Sequence, residues 1–124
     1  MKISAASQDY LEALLELSEE EHSVRSIDVA KRIGVSRASV NKAIGVLRES
    51  GFVEQEKYSE ITLTDEGIRA AKAVLKRHST LKQFLTDILN VSEDIAENDA
   101  CRMEHVISLE TLEKLQIFLQ QREE

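Results

Sequence analysis

The 124-residue chain has no proline, no tryptophan, a single cysteine, four glycines and, among aromatics, two tyrosines and three phenylalanines. One cysteine cannot staple a monomer, so the disulfide-rich secreted class is excluded and a reducing, cytoplasmic setting is expected. No apolar run exceeds a few residues, which leaves no segment able to span a bilayer as a helix. The N-terminus shows no basic stretch followed by an apolar block, so no secretory signal is expected. Low-complexity tracts and internal repeats are also missing. What remains is 42% hydrophobic and 31% charged residues in periodic order, too apolar for disorder. That composition fits one globular domain, or a small module plus an interface.

The formal net charge of −7 argues by itself against a nucleic-acid partner. Its distribution argues the other way. Between residues 23 and 50 the cations Arg25, Lys31, Arg32, Arg37, Lys42 and Arg48 face only Asp28 and Glu49, a local excess of four positive charges. A basic surface on an acidic body is expected, although a solvated helical surface would look similar on charge alone.

Hydrophobic periodicity divides the chain. Ser4 to Ser18 places Tyr10, Leu11, Leu14, Leu15 and Leu17 at helical spacing, and Glu19-Glu20-Glu21 reads as a fraying end. Ser26 is expected to cap a short helix through Ile33, closed by Gly34, where a positive φ is often needed. Ser36 opens a second helix with Val40, Ala43, Ile44 and Leu47 inward, stopped by Gly51. The period then shortens toward two: Phe52 to Glu56 and Ile61 to Leu63 predict two strands of a hairpin. Thr64 predicts the N-cap of a long helix through Leu75. Leu81, Phe84, Leu85 and Ile88 continue the helical pattern. Ser92 is expected to cap a helix running through Ile95 to Val106, and Ser108 to cap a last one. The fold class is therefore mainly α. It consists of an N-terminal winged helix-turn-helix over residues 1–70, its wing a short β-hairpin, and an α-helical dimerisation domain over residues 71–124.

The pair of helices from Ser26 to Leu47 has the anatomy of a helix-turn-helix. Its second helix opens with Ser36, Arg37, Ala38, Ser39, Val40, Asn41 and Lys42. Small residues there allow close approach to a major-groove floor, and hydroxyl, amide and cationic groups suit base edges and phosphates. Arg25 before the pair, and Lys57 and Tyr58 near the hairpin tip, are further candidates for DNA. Glu54, Glu56 and Glu60 weaken the case for the wing, so base reading is assigned to the second helix.

A second constellation concerns metal. Cys101, Glu104 and His105 fall at i, i+3 and i+4 on one helix face. Thiolate, carboxylate and imidazole together suit Mn(II), Fe(II), Co(II) or Zn(II). Asp9 and Glu12 on the first helix, and His78 at the end of the helix after the wing, could complete the set. The bland alternative is a buried thiol with a solvated Glu-His pair.

Several stretches, Asp9-Tyr10-Leu11-Glu12-Ala13, Glu56-Lys57-Tyr58, Leu63-Thr64-Asp65-Glu66-Gly67, Arg77-His78 and Ala100 to Ser108, resemble the diphtheria-toxin-repressor/manganese-transport-regulator family. The likeness runs nearly end to end. It implies a homodimeric, metal-activated winged-helix repressor of metal uptake that binds a double-stranded operator. It also implies Asp9, Glu12, His78, Cys101, Glu104 and His105 as metal ligands. Iron-responsive members pair the Cys with a Met at the position of Asp9, whereas manganese-responsive members pair Asp with a Glu at the position of Cys101. This chain mixes the two, so Mn(II) or Fe(II) is expected, with Zn(II) or Co(II) binding in vitro. The ancillary positions of the iron branch appear as Lys82 and Glu97, and because an ammonium does not ligate, an ion pair near the metal is expected instead. The SH3-like domain of longer members is not expected.

Two other functions compete for the same residues. A metal-independent winged-helix regulator would leave Cys101 in the core and the acids in solvent. A metal-dependent hydrolase would need an open coordination site and a general base in a cleft, and no H-E-x-x-H, nucleophile elbow or phosphate-cradling glycine loop is present. The surplus of apolar residues at Phe84, Leu85, Ile88, Leu89, Ile107, Leu112, Leu115, Ile117, Phe118 and Leu119 is expected to serve partly as core and partly as a dimer face. Because cysteine and histidine must shed protons to ligate, metal activation should weaken at acid pH.

Overall fold

The computed structural model describes residues 4–20, 23–56 and 59–123. It is mainly helical, in the order α1 (Ala5–Glu20), α2 (Ser26–Ile33), α3 (Arg37–Glu49), β1 (Val53–Glu54), β2 (Thr62–Leu63), α4 (Asp65–Gln83), a π-helical turn (Phe84–Ile88), α5 (Glu93–Met103) and α6 (Leu109–Glu123). The chain forms two compact units, Met1–Ala73 and Val74–Glu124.

In the first unit α1, α2 and α3 enclose a core of Leu11, Leu14, Val29, Val40, Ile44 and Leu47, all at most 1% exposed. Local chemistry sets the ends of these helices. Gly34 adopts φ 83°, and its N–H and that of Val35 both donate to the Ala30 carbonyl, closing α2. The Ser36 hydroxyl accepts from the Ser39 N–H at 3.1 Å and so caps α3. Ser26 does not cap α2 as expected, because it is the first helical residue. The cap position is Arg25, whose N–H donates to the Asp28 carboxylate at 2.9 Å, while the Ser26 hydroxyl turns to the Asn41 side chain instead. Glu19 and Glu20 are helical rather than frayed, Glu21 lying outside the described residues, and Arg32 of α2 holds this end by bridging Glu16 at 2.9 Å and Glu20 at 2.6 Å.

Gly51 (φ 85°) turns the chain into the hairpin. The antiparallel ladder is short, pairing Val53 with Leu63 and Glu54 with Thr62. Among the described residues, two of each expected strand pair, in a sheet of two strands. Thr64 pins the hairpin base to α4: its N–H donates to the Phe52 carbonyl, its hydroxyl donates to the Gly51 carbonyl, and the same oxygen accepts from the Gly67 N–H.

In the second unit Leu81, Ala100 and Leu112 form a buried cluster with Met103, Ile107 and Leu115 packed against it. The Phe84 and Phe118 rings meet edge to face at 6.3 Å. The structure sorts the apolar surplus: Leu85, Leu112 and Leu119 are buried, whereas Leu89, Ile117 and Phe118 are about half exposed. Helix α4 does not end at His78, as expected, but continues to Gln83, since no glycine or proline follows to stop it. Widening into the π-helical turn coincides with the Thr86 hydroxyl donating back to the Lys82 carbonyl, and the turn closes before Asn90 at φ 58°. Helix α5 ends at Met103, earlier than the expected Val106.

Gly67 is confined by the hairpin, since a Cβ there would lie 2.0 Å from the Phe52 carbonyl oxygen. Gly67→Ala is expected to destabilise the first unit by about 1–3 kcal/mol through overpacking. Urea unfolding checks this, and an unchanged midpoint would contradict the packing described.

Candidate nucleic-acid face and metal centre

The exposed strip of α3 follows from its period. At 100° per residue, Arg37, Asn41 and Arg48 fall within about 40° of one another. Together with Arg25, Ser26, Ile27, Ala38 and Gln55 they line an open cleft of about 870 Å³. Ser36, Ala38, Ser39 and Lys42 are exposed on the same helix or its cap. Lys57 and Tyr58 lie outside the described residues. Arg48 also borders a second cleft of about 560 Å³ against the hairpin, with Glu54, Gln55 and Glu56. Sequence reasoning counted Arg48 as charge but did not name it as a site residue. The signal was its spacing of eleven from Arg37, close to three whole turns. Arg32, by contrast, is engaged with Glu16 and Glu20, so part of the basic excess serves the fold.

Asn41 is held in place. The Ser26 hydroxyl donates to Asn41 Oδ1 at 2.8 Å, so the amide Nδ2 has its own direction, available for donation to an acceptor.

The second unit gathers the other set. His78, one turn and a half before the end of α4, is 8% exposed, and its two ring nitrogens face different carboxylates. Nδ1 lies 3.1 Å from Glu104 Oε2, and Nε2 lies 3.0 Å from each Glu97 oxygen. Cys101 is exposed overall, yet its Sγ approaches His78 Nδ1 at 3.7 Å. Glu104 is only 1% exposed, and its other oxygen lies 3.6 Å from His105 Nε2. Ligand-capable atoms of His78, Glu97 and Cys101 all fall within 4.8 Å of one another. Asp9 is exposed and Glu12 half-buried on α1 of the first unit.

Around this cluster the expected ion pair is formed, with Lys82 Nζ 3.2 Å from Glu97 Oε2 and 3.5 Å from Glu93 Oε1. The hydrogen bond from His78, and next the one from Lys82, hold the Glu97 carboxyl below the ordinary carboxylate range. Glu97 in turn raises the Lys82 ammonium above its ordinary value. The sequence placed Glu97 at an ancillary position of the family and as the ion-pair partner of Lys82, not as a partner of His78. Its bond to His78 across nineteen residues leaves no local sign, although Glu93, Glu97 and Cys101 do recur every four residues along α5.

A buried carboxylate is costly unless a cation or strong donors face it. Glu104 meets an imidazole on either side and a thiol nearby, a mixed oxygen, nitrogen and sulfur set that fits a divalent transition metal.

Comparison with known proteins agrees with this division of roles. Residues 2–61 match the family profile "iron dependent repressor, N-terminal DNA binding domain", and residues 64–124 match "iron dependent repressor, metal binding and dimerisation domain". A helix-turn-helix regulator of Methanocaldococcus jannaschii is 36% identical over 119 residues, covering 95% of both chains. The transcriptional regulator MntR of Escherichia coli O6:H1 is 38% identical over 112 residues, covering 90% of this chain and 72% of its own. A solved manganese-dependent transcriptional repressor in complex with manganese superposes with a TM-score of 0.83 at 33% identity, over 92% of this chain. This chain spans about half the length of that solved protein, 52% of it.

The basic strip yields a measurable contrast. Arg37→Ala and Arg48→Ala should each weaken binding to duplex DNA and lower the slope of log affinity against log salt by roughly one. Arg32→Ala should leave that slope unchanged, and an equal loss of slope in all three variants would contradict the assignment.

Proposed function

The chain belongs to the iron-dependent-repressor family, the diphtheria-toxin-repressor/manganese-transport-regulator group whose motifs it resembles, and we propose that it is a divalent-metal-activated, DNA-binding repressor of metal-homeostasis genes. It acts as a homodimer on a double-stranded operator. Residues 1–70 read the DNA, and residues 71–124 bind the metal and dimerise. The observation that supports this reading most strongly is the buried Glu104 carboxylate set between two imidazoles, in a chain whose other unit presents a helix-turn-helix.

His78, Cys101, Glu104 and His105 would hold the ion, which supplies positive charge to the buried carboxylate. Asp9 and Glu12 join the ligand set as the resemblance implies. We favour Mn(II) over Fe(II). Asp9 is a hard oxygen donor, and two similar solved proteins are described as a manganese regulator and a manganese-dependent transcriptional repressor. Cys101 is the element that suits Fe(II), and divalent affinity order lets Zn(II) or Co(II) bind in vitro.

Reading DNA falls to α3. Arg37, Lys42 and Arg48 neutralise phosphates and position the helix. Asn41, oriented by Ser26, and the hydroxyl of Ser39 address base edges, with Ala38 allowing close approach. Two such helices bind cooperatively when a dimer spaces them to match half-sites about one helical turn apart. Ordering of the reading heads by metal lowers the entropy cost of docking, and a coupling of roughly 5–150-fold is typical of such switches.

Operator binding measured anaerobically with Mn(II) and with chelator tests the proposal. The wild type should bind more tightly with Mn(II), by a factor in that range. Glu104→Ala or His105→Ala should abolish the stimulation while leaving the helical content intact. Equal affinity of the wild type under both conditions would favour a metal-independent regulator and overturn the reading.

A further inference from the structure

A side-chain amide has two unlike ends, an oxygen that accepts and a nitrogen that donates. With both ends turned to a base edge, an asparagine pairs with adenine, which offers its N6 donor beside its N7 acceptor. Asn41 does not have both ends free. The hydroxyl of Ser26, the first residue of α2, donates to Asn41 Oδ1 at 2.8 Å, and Nδ2 has no hydrogen-bond partner among the described residues. This contact ties together the two helices of the reading pair, across fifteen residues of chain. Both sides of it are fixed. The Arg25 N–H donates to the Asp28 carboxylate at 2.9 Å where the chain enters α2, and Ser36 caps α3.

Asn41 also occupies the middle of the exposed strip of α3. Arg37 stands four residues before it and Arg48 seven after it, on the same face. Their guanidinium groups, and that of Arg25 in the same cleft, can only donate. Arginines that end on phosphates at either side fix the register of the helix and leave the amide between them over the base edges.

On the DNA reading proposed above, we propose that Ser26 sets which base Asn41 selects: by holding Oδ1 it commits the amide to donation, toward guanine and against adenine. Guanine presents N7 and O6, both acceptors, to the two N–H bonds of Nδ2, and thymine presents O4 alone. An adenine could form its two-bond pair only by sharing Oδ1 with the Ser26 hydroxyl or by displacing it. Ser26 is thus a positioning residue that acts through Asn41 and needs no contact of its own with the duplex.

Selection from a randomised duplex pool, with Mn(II) present, reads the preference at every base position. The wild type should enrich guanine over adenine by about tenfold at one position of each half-site. Asn41→Ala should lose the preference at that position and keep the others. Ser26→Ala frees Oδ1 and should cut the lead of guanine over adenine there by at least about fivefold. Ser26→Thr, which keeps the hydroxyl, should restore it. Should Ser26→Ala lose helical content by circular dichroism, Ser26→Cys under reducing conditions takes its place, since a thiol donates only weakly. Three results would each overturn the role of Ser26 while leaving the DNA reading in place. They are a base other than guanine at the Asn41-dependent position, an unchanged preference in the hydroxyl-deleted variant, or a loss in Asn41→Ala spread evenly over all positions, as a phosphate contact would give. No sequence-selective enrichment by any form would overturn both.

Discussion

A carboxylate with 1% exposure, held between imidazoles, is the constraint around which the second unit is arranged. Glu104 sits at the end of α5, where its N–H still donates to the Ala100 carbonyl. With the backbone closed there, the side chain is turned away from water. Burying an anion is unfavourable unless positive charge or strong donors compensate. His78 supplies a donor from α4, and a divalent ion would supply charge. Stability and metal response therefore share the same atoms, which explains why an arrangement with little value as a plain core is nonetheless built.

The first unit obeys a different economy. Its core is an ordinary apolar contact of three helices, and its ends are set by short-range hydrogen bonds. The polar strip of α3 is left for a partner, held by Ser36 at its cap and by Ser26 against Asn41. The net charge of the chain is misleading in this respect. Repulsion from DNA depends on where the acids lie, and the cations Arg25, Arg37 and Arg48 meet along one cleft.

What could be read from the sequence was what is local. Gly34, Ser36, Thr64 and Ser108 each make a capping bond within four residues of themselves, at the helix boundary their chemistry predicts. The i, i+3, i+4 spacing singled out Cys101, Glu104 and His105 as candidates on one helix face, whereas α5 ends at Met103 and leaves Glu104 and His105 in the turn that follows. Misreadings arose where a distant partner won. Ser26 could cap α2, but Asn41 fifteen residues later takes its hydroxyl and Asp28 closes the helix instead. Arg32 looked like part of a binding surface until Glu16 and Glu20 claimed it. The bond from His78 to Glu97 depends on how α4 meets α5, which no window of sequence encodes.

If a cation at this centre governs the DNA-reading helices, the two ligands must help each other equally, since coupling free energy is reciprocal. The decisive measurement is the Mn(II) affinity of the wild-type protein with and without saturating operator duplex. The account predicts that operator tightens Mn(II) binding by the same factor by which Mn(II) tightens operator binding. Identical Mn(II) affinity in the presence and absence of operator would contradict it.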